Sequence, residues 1–135
     1  MDKKDPSVRI LIADDHTIFR DGLRRLLEAE PELEVAGEAA DGAEAVTQTR
    51  HLTPDILLLD LAMPRMPGMD VLRELSATDD DLRTKIIVLT AAVERIQIVQ
   101  ALQMGARGVV MKEAATQLLM KAIRTVMAGQ YWVGR

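Results

Sequence analysis

The chain has no cysteine and almost no aromatic residues, with one Phe, one Tyr and one Trp among 135 residues. Without thiols it forms neither disulfides nor thiolate metal sites. No stretch approaches the roughly 20 apolar residues that a transmembrane helix needs. The amino terminus reads MDKKDPS and lacks the apolar core of a signal peptide. We therefore expect a cytoplasmic protein that makes no membrane contact.

The chain also lacks an excess of basic residues, since its formal net charge is −4. Nucleic-acid binding depends on a basic face that neutralises phosphates, so this domain is not expected to bind DNA by itself. If DNA is a partner, another domain must contact it. The length and the 48% hydrophobic content suit one globular domain that buries its core without metal or disulfide support.

Apolar segments and helical repeats alternate along the chain. Five segments have the pattern of strands: Val8–Ala13, Leu33–Ala39, 56–59, 85–89 and Gly108–Met111. The run at 56–59 is uninterrupted and predicts a strand buried on both faces, whereas the alternation at Leu33–Ala39 predicts a strand near a sheet edge. Apolar residues at helical spacing follow each strand, with Ala43, Ala45 and Val46 forming a weak stripe in the second helix. The alternation predicts an α/β fold in which helices cover both faces of a five-stranded parallel sheet.

A polar residue follows four of these strands. Asp14 and Asp15 come after the first, Asp60 after the third, Thr90 after the fourth and Lys112 after the fifth. Each residue alone has an ordinary structural interpretation, such as a helix cap or a solvated strand end. The carboxyl ends of parallel strands lie on one edge of the sheet, however, and ligands bind there. The five side chains are therefore expected to converge.

Three clustered carboxylates raise one another's pKa values unless a cation joins them. Mg²⁺, which keeps several waters and accepts phosphoryl oxygens, suits so few protein ligands better than Ca²⁺. The Lys112 ammonium and the Thr90 hydroxyl could then hold the other oxygens of a phosphoryl group during transfer. The carboxylate facing the phosphorus would be the nucleophile.

At these positions the chain resembles the receiver domain of two-component response regulators over essentially its whole length. The acid pair Asp14 and Asp15, the D-x-x-M-P-x-M-x-G pattern that begins at Asp60, Thr90 and Lys112 all match in order and spacing. The segments ADDHTIFRDGL, EVAGEAADGAEA, ARGVVMKEA and AIRTVMAGQYWV are similar to the NarL/FixJ (LuxR-type) subfamily. The resemblance implies a flavodoxin-like (βα)5 fold with strand order 2-1-3-4-5.

The resemblance also implies roles for the site residues. Asp60 becomes the phospho-acceptor, and the phosphoryl donor is the phosphohistidine of a separate sensor histidine kinase. Asp15, Asp60 and the main-chain carbonyl of Ala62 would bind Mg²⁺ directly, with Asp14 acting mainly through water. Thr90 and Lys112 become the residues that hold the phosphoryl group and switch with it, in a regulator that is not an enzyme with an external product.

Two positions depart from the family pattern. Val109 occupies a place where receivers commonly have Tyr or Phe, so the usual aromatic readout has no ring at this position. Glu113 replaces a frequent proline after the lysine, although an acid is common in this subfamily. His16, beside the acid pair, is interpreted as local structure or as a second layer around the site.

The whole chain, residues 1–135, is interpreted as a receiver domain whose helix-turn-helix output domain is absent. A stand-alone receiver acting through protein–protein contacts is the alternative. A phosphohydrolase with an Asp nucleophile is a remote alternative, because such enzymes have a second acid where this chain has Ala62. Any phosphorylation-dependent homodimer is expected to use the first and last helices, with apolar contact from Leu118 or Met120.

Overall fold

The computed structural model describes residues 8–78, 83–91 and 95–133. Its strands are β1 Val8–Ala13, β2 Leu33–Ala39, β3 Ile56–Asp60, β4 Lys85–Thr90 and β5 Gly108–Met111. Its α-helices are α1 Thr17–Glu28, α2 Gly42–Leu52, α3 Gly68–Thr78, α4 Arg95–Gln103 and α5 Ala115–Met127. All strand pairs are parallel and the order is β2-β1-β3-β4-β5. The expected fold and strand order are therefore confirmed.

The burial of the strands explains their order in the sheet. Every residue of β3 is buried, as expected for an uninterrupted apolar run with neighbours on both sides. β2 lies at one edge, and most of its residues are only half-buried or exposed. The predicted central and edge strands are both confirmed.

Helices cover both faces of the sheet. On one face, Leu23 and Leu27 of α1 pack with Leu119 and Ile123 of α5 in one core cluster. A second cluster on the opposite face contains buried residues of α2, α3 and α4, among them Leu72 of α3. None of the helices in the described ranges has the length and apolar character that crossing a bilayer requires.

The structure differs from the sequence-based prediction in some details, and it does not describe every predicted residue. Ala43 is exposed and Thr49 is buried instead. Because an α-helix turns by about 100° per residue, position 49 lies on the same face as Ala45 and Val46. Position 43 lies to the side of that face, toward solvent. A 3₁₀ turn at Lys112–Ala114 precedes α5 and was not predicted. The acidic run 79–81 and Val93, placed in the fourth helix, lie outside the described residues.

The outer edge of β5 is covered by the segment that follows α5. The Val109 N–H donates to the Trp132 carbonyl at 2.9 Å, and the Trp132 N–H donates to the Arg107 carbonyl at 3.0 Å. Tyr131 places its ring over the Arg107 guanidinium, 5.5 Å from the ring centroid. These contacts satisfy backbone groups that an open sheet edge would expose.

Gly68 lets the loop after β3 close tightly beside Asp60. A Cβ at this position would lie 2.5 Å from the Asp60 carbonyl oxygen and 2.6 Å from the Leu61 Cα. Both atoms belong to the backbone, so no side chain can rotate away to make room. The absence of a side chain at Gly68 therefore fixes the path of the loop that carries Asp60.

We expect Gly68→Ala to lower the free energy of unfolding by about 1–3 kcal/mol, the usual cost of overpacking. Urea denaturation measures this change. Gly22→Ala is the matched control, because a Cβ there meets nothing within 4 Å. In the middle of α1 it should instead stabilise the fold by roughly 0.5–1 kcal/mol. Equal midpoints for Gly68→Ala and wild type would contradict the packing argument.

Candidate phosphoryl-transfer site

The carboxyl ends of β1, β3, β4 and β5 meet at one open pocket of about 200 Å³. Asp60 and Thr90 are the last residues of β3 and β4. Residues lining the pocket include His16, Asp60, Ala62, Thr90, Gln97 and Lys112. The predicted convergence at this sheet edge is present in the structure.

Acidic side chains form a compact cluster beside the pocket. One ligand atom from each of Asp14, Asp15, His16 and Asp60 lies within 4.8 Å of the others. Asp14 and Asp60 are buried, with exposed fractions of 0% and 2%, whereas Asp15 is exposed. Two buried carboxylates and one at the rim provide hard oxygen ligands on one side and leave the other side open to solvent.

Lys112 bridges the two buried carboxylates. Its Nζ lies 2.7 Å from Asp14 Oδ2 and 3.2 Å from Asp60 Oδ2, and its side chain is 12% exposed. Each buried charge is costly unless a partner compensates it. The ammonium therefore stabilises the two buried carboxylates, and it also lines the pocket.

Burial and charge act in opposite directions on the two central groups. Desolvation raises the pKa of Asp60, helped by the nearby Asp14 carboxylate, and outweighs the Ala62 N–H and the Lys112 ammonium, which lower it. Burial lowers the pKa of Lys112, but the hydrogen bonds and charges of Asp14 and Asp60 raise it above its ordinary value. Lys112 is therefore a cation at neutral pH. Any further positive charge near Asp60 would favour its ionised form.

Backbone hydrogen bonds fix the orientation of the acids. The Ala62 N–H donates to Asp60 Oδ1 at 3.1 Å, and the His16 N–H donates to Asp14 Oδ1 at 2.7 Å. Arg20 donates to the Asp14 carbonyl oxygen at 2.5 Å and pairs with Glu38 of β2 at 2.8 Å. The strand-end carboxylates are thus held by the loops that follow them and by α1.

The donor set fits a hard divalent cation such as Mg²⁺, because three carboxylates converge and the pocket leaves room for water and a phosphoryl group. Asp14, Asp15 and Asp60 are the candidate ligands. Ala62 lies at the pocket wall, two residues after Asp60, where its main-chain carbonyl is the remaining candidate. Which of these oxygens bind the ion stays a prediction.

Three residues near the site were not assigned a functional role from the sequence. His16 Nδ1 lies 3.3 Å from Lys112 Nζ and 3.7 Å from Asp15 Oδ1, so its ring belongs to the cluster. Gln97 of α4 lines the pocket. Phe19 of α1 lies under the Lys112 ammonium, 4.8 Å from the ring centroid. Only the position of His16 beside the acid pair gave a sequence signal.

Comparison with known proteins explains the arrangement. The sequence pattern of the response regulator receiver domain matches residues 10–124. The chain belongs to the response regulator receiver family. The receiver domain of the putative response regulator NarL from Mycobacterium tuberculosis is 34% identical, with a TM-score of 0.86. That comparison covers 93% of this chain and 100% of the solved one.

Some relatives have chains that are longer than this one. The transcriptional regulatory protein LiaR of Bacillus subtilis is 36% identical over 91% of this chain and 57% of its own length. A structure of RcsB dimers bound to DNA is 26% identical, with a TM-score of 0.85, over 96% of this receiver and 65% of the RcsB chain. This receiver therefore spans a little more than half the length of LiaR.

Proposed function

We propose that this receiver is a phosphorylation-dependent signalling switch that accepts a phosphoryl group on Asp60 from the phosphohistidine of a sensor histidine kinase. The observation that carries the proposal is the Lys112 ammonium, 2.7 Å from Asp14 and 3.2 Å from Asp60 beside an open pocket. A cation and a buried carboxylate at one pocket are what phosphoryl transfer to Asp requires. Cytoplasmic location is part of this proposal.

The site residues have different parts in the transfer. An Asp60 carboxylate oxygen attacks the phosphorus and forms an acyl phosphate while the bond to the histidine nitrogen breaks. Lys112 and the Thr90 hydroxyl hold phosphoryl oxygens, and Thr90 is suited to this because it ends β4 at the pocket wall. Asp15, Asp60 and the Ala62 carbonyl would hold Mg²⁺ directly, and Asp14 would hold it mainly through water. When bound, the ion would neutralise charge on the phosphoryl oxygens.

The proposed output is DNA binding and transcription through a carboxyl-terminal helix-turn-helix domain. The names of the relatives support it, since LiaR is a transcriptional regulatory protein and RcsB is seen as dimers on DNA. The alternative is a stand-alone receiver that acts on a partner protein. The reading frame beyond Arg135 distinguishes the two, because only the first needs a helix-turn-helix sequence there.

An enzyme that hydrolyses phosphate esters is a weaker proposal. A phosphohydrolase needs a general acid for the leaving group. Two residues after Asp60 the chain has Ala62, which cannot donate a proton from its side chain. We therefore propose no enzymatic function with an external product. Measurable turnover of a generic phosphate ester would favour the enzyme instead.

Mass spectrometry tests the proposal directly. The protein is incubated with acetyl phosphate and Mg²⁺, and the expected result is a mass gain of one phosphoryl group that hydroxylamine removes, as for an acyl phosphate. A sample with the metal chelated should show no gain. No labelling under any donor and metal condition would contradict the proposal.

A homodimer through α1 and α5 is the proposed phosphorylated form. A groove of about 530 Å³ runs between these helices, and Ile18 at its rim is 88% exposed. Its occupant is a second copy, because α1 carries both acids and bases, Asp21 and Glu28 with Arg24 and Arg25, as a twofold interface needs. In contrast, α4 has the sequence RIQIVQALQ, with three glutamines and no acidic residue.

We expect Ile18→Glu to abolish the dimer that forms with beryllofluoride, a phosphoryl mimic. The charge would have to be buried among the apolar side chains that line the groove. Val99→Glu is the matched control, since Val99 is a β-branched residue of α4 that is 48% exposed. Leu118 and Met120, the predicted contributors, are half-buried. Sedimentation velocity measures the result, and loss of the dimer only in Val99→Glu would place the interface on α4.

A further inference from the structure

The Lys112 ammonium has an aromatic neighbour as well as its two carboxylates. Phe19, in the first turn of α1, places its ring centroid 4.8 Å from Lys112 Nζ. The ring is half-buried and packs against the core cluster that α1 and α5 share. Its position is therefore set by the core and not by the site.

An aromatic face suits this place for a chemical reason. The π system attracts a cation through its quadrupole, yet it accepts no conventional hydrogen bond and carries no charge. The ring therefore takes none of the ammonium protons of Lys112 away from oxygen acceptors. A third carboxylate there would attract the ammonium more strongly, but it would compete with an incoming phosphoryl group.

We propose that Phe19 is a positioning residue for Lys112, holding the ammonium at the pocket in the geometry that meets the phosphoryl oxygens. This inference rests on the proposed function, because it assigns Phe19 a role in the same phosphoryl site. Phe19 does not touch the reacting atoms and acts only through Lys112.

The same ring also forms part of the groove between α1 and α5. Ile18, Phe19 and Leu26 line it from α1, and Ala115 and Thr116 line it from α5. A displacement of Lys112 toward a phosphoryl group therefore changes the contacts of a residue that faces the proposed dimer surface. Phe19 is therefore in contact with both the phosphoryl site and the groove.

Nuclear magnetic resonance tests the contact without any phosphoryl chemistry. Phe19 is the only phenylalanine in the chain, so selective labelling gives a single ring signal that needs no further assignment. We expect nuclear Overhauser effects between its ring protons and the ε-methylene protons of Lys112 in the metal-free protein. Their absence would overturn the proposal.

The affinities for beryllofluoride and for Mg²⁺ distinguish a positioning role of Phe19 from a merely structural one. Phe19→Leu keeps an apolar side chain in the core but removes the aromatic face. At saturating Mg²⁺ it should bind beryllofluoride about fivefold more weakly, the effect of a cation–π contact of about 1 kcal/mol. Its affinity for Mg²⁺ alone should not fall, because the phenyl ring offers no ligand atom to the ion. Phe19→Tyr keeps the ring and should restore wild-type values.

Tyr131→Leu is the matched control, since it removes a ring that lies over a different cation, the Arg107 guanidinium, 5.5 Å from the ring centroid. It should leave both affinities unchanged. Equal beryllofluoride affinity for Phe19→Leu and wild type, or equal losses of both affinities, would overturn the proposal. If wild type bound no beryllofluoride, the proposed function would fail, and the Overhauser measurement would still decide whether Phe19 positions Lys112.

Discussion

Asp60→Asn protein incubated with acetyl phosphate and Mg²⁺ should gain no phosphoryl group, while wild type gains one. The amide has almost the shape of the carboxylate but is not a nucleophile. The hydrogen bond from the Ala62 N–H, 3.1 Å long in the structure, can still be accepted by the amide oxygen. The loss should therefore be complete and should occur in a folded protein.

The stability of the same variant provides an independent check. Burial raises the pKa of Asp60, so the ionised carboxylate destabilises the metal-free fold. Folded Asp60 holds its proton to higher pH than unfolded Asp60, so the contribution of Asp60 to the free energy of unfolding falls as the pH rises above about 3.8, the ordinary pKa. The side chain of Asp60→Asn does not ionise, so this variant should have a higher melting temperature than wild type at pH 7 without metal.

Asp70→Asn is the matched control for labelling, because Asp70 is a half-exposed acid in the first turn of α3. It should accept one phosphoryl group as wild type does. A stable phosphoryl adduct on Asp60→Asn would show that another residue accepts the group and would contradict the assignment of Asp60. A lower melting temperature would contradict the argument about its buried charge.

Mg²⁺ should raise the melting temperature of wild type by several degrees. Binding to the folded state alone stabilises it by about 2.7 kcal/mol at a hundredfold excess over the dissociation constant. The physical source is the relief of repulsion among Asp14, Asp15 and Asp60, whose ligand atoms lie within 4.8 Å. Differential scanning calorimetry with Mg²⁺ or chelator, at constant ionic strength, measures the gain.

Asp15→Ala should remove most of this gain without unfolding the protein, since Asp15 is exposed at the rim of the cluster. Asp21→Ala is the matched control: Asp21 is a half-exposed acid of α1, outside the cluster, that pairs with Arg24 at 3.3 Å. Its Mg²⁺ gain should equal that of wild type. Identical melting temperatures of wild type in Mg²⁺ and chelator would mean that the acids are not a metal site.

Sequence patterns predicted the helices and strands well where a segment has one apolar face or is apolar throughout. The uninterrupted run before Asp60 identified the central strand, and all five residues of β3 are buried. Helical spacing identified Leu23 and Leu27, which are buried in the core. Ala43 was misplaced because its small apolar side chain is compatible with either face of α2.

The amino-acid sequence by itself determined the parallel α/β fold and the meeting of Asp14, Asp60, Thr90 and Lys112. Hydrophobic periodicity depends on neighbours in the chain, and the carboxyl ends of parallel strands always share one edge. Only the tertiary structure decided that Lys112 bridges Asp14 and Asp60 and that Phe19 lies beneath it. Those contacts join residues about 50 to 100 positions apart, and their distances depend on how α1 and α5 pack against the sheet.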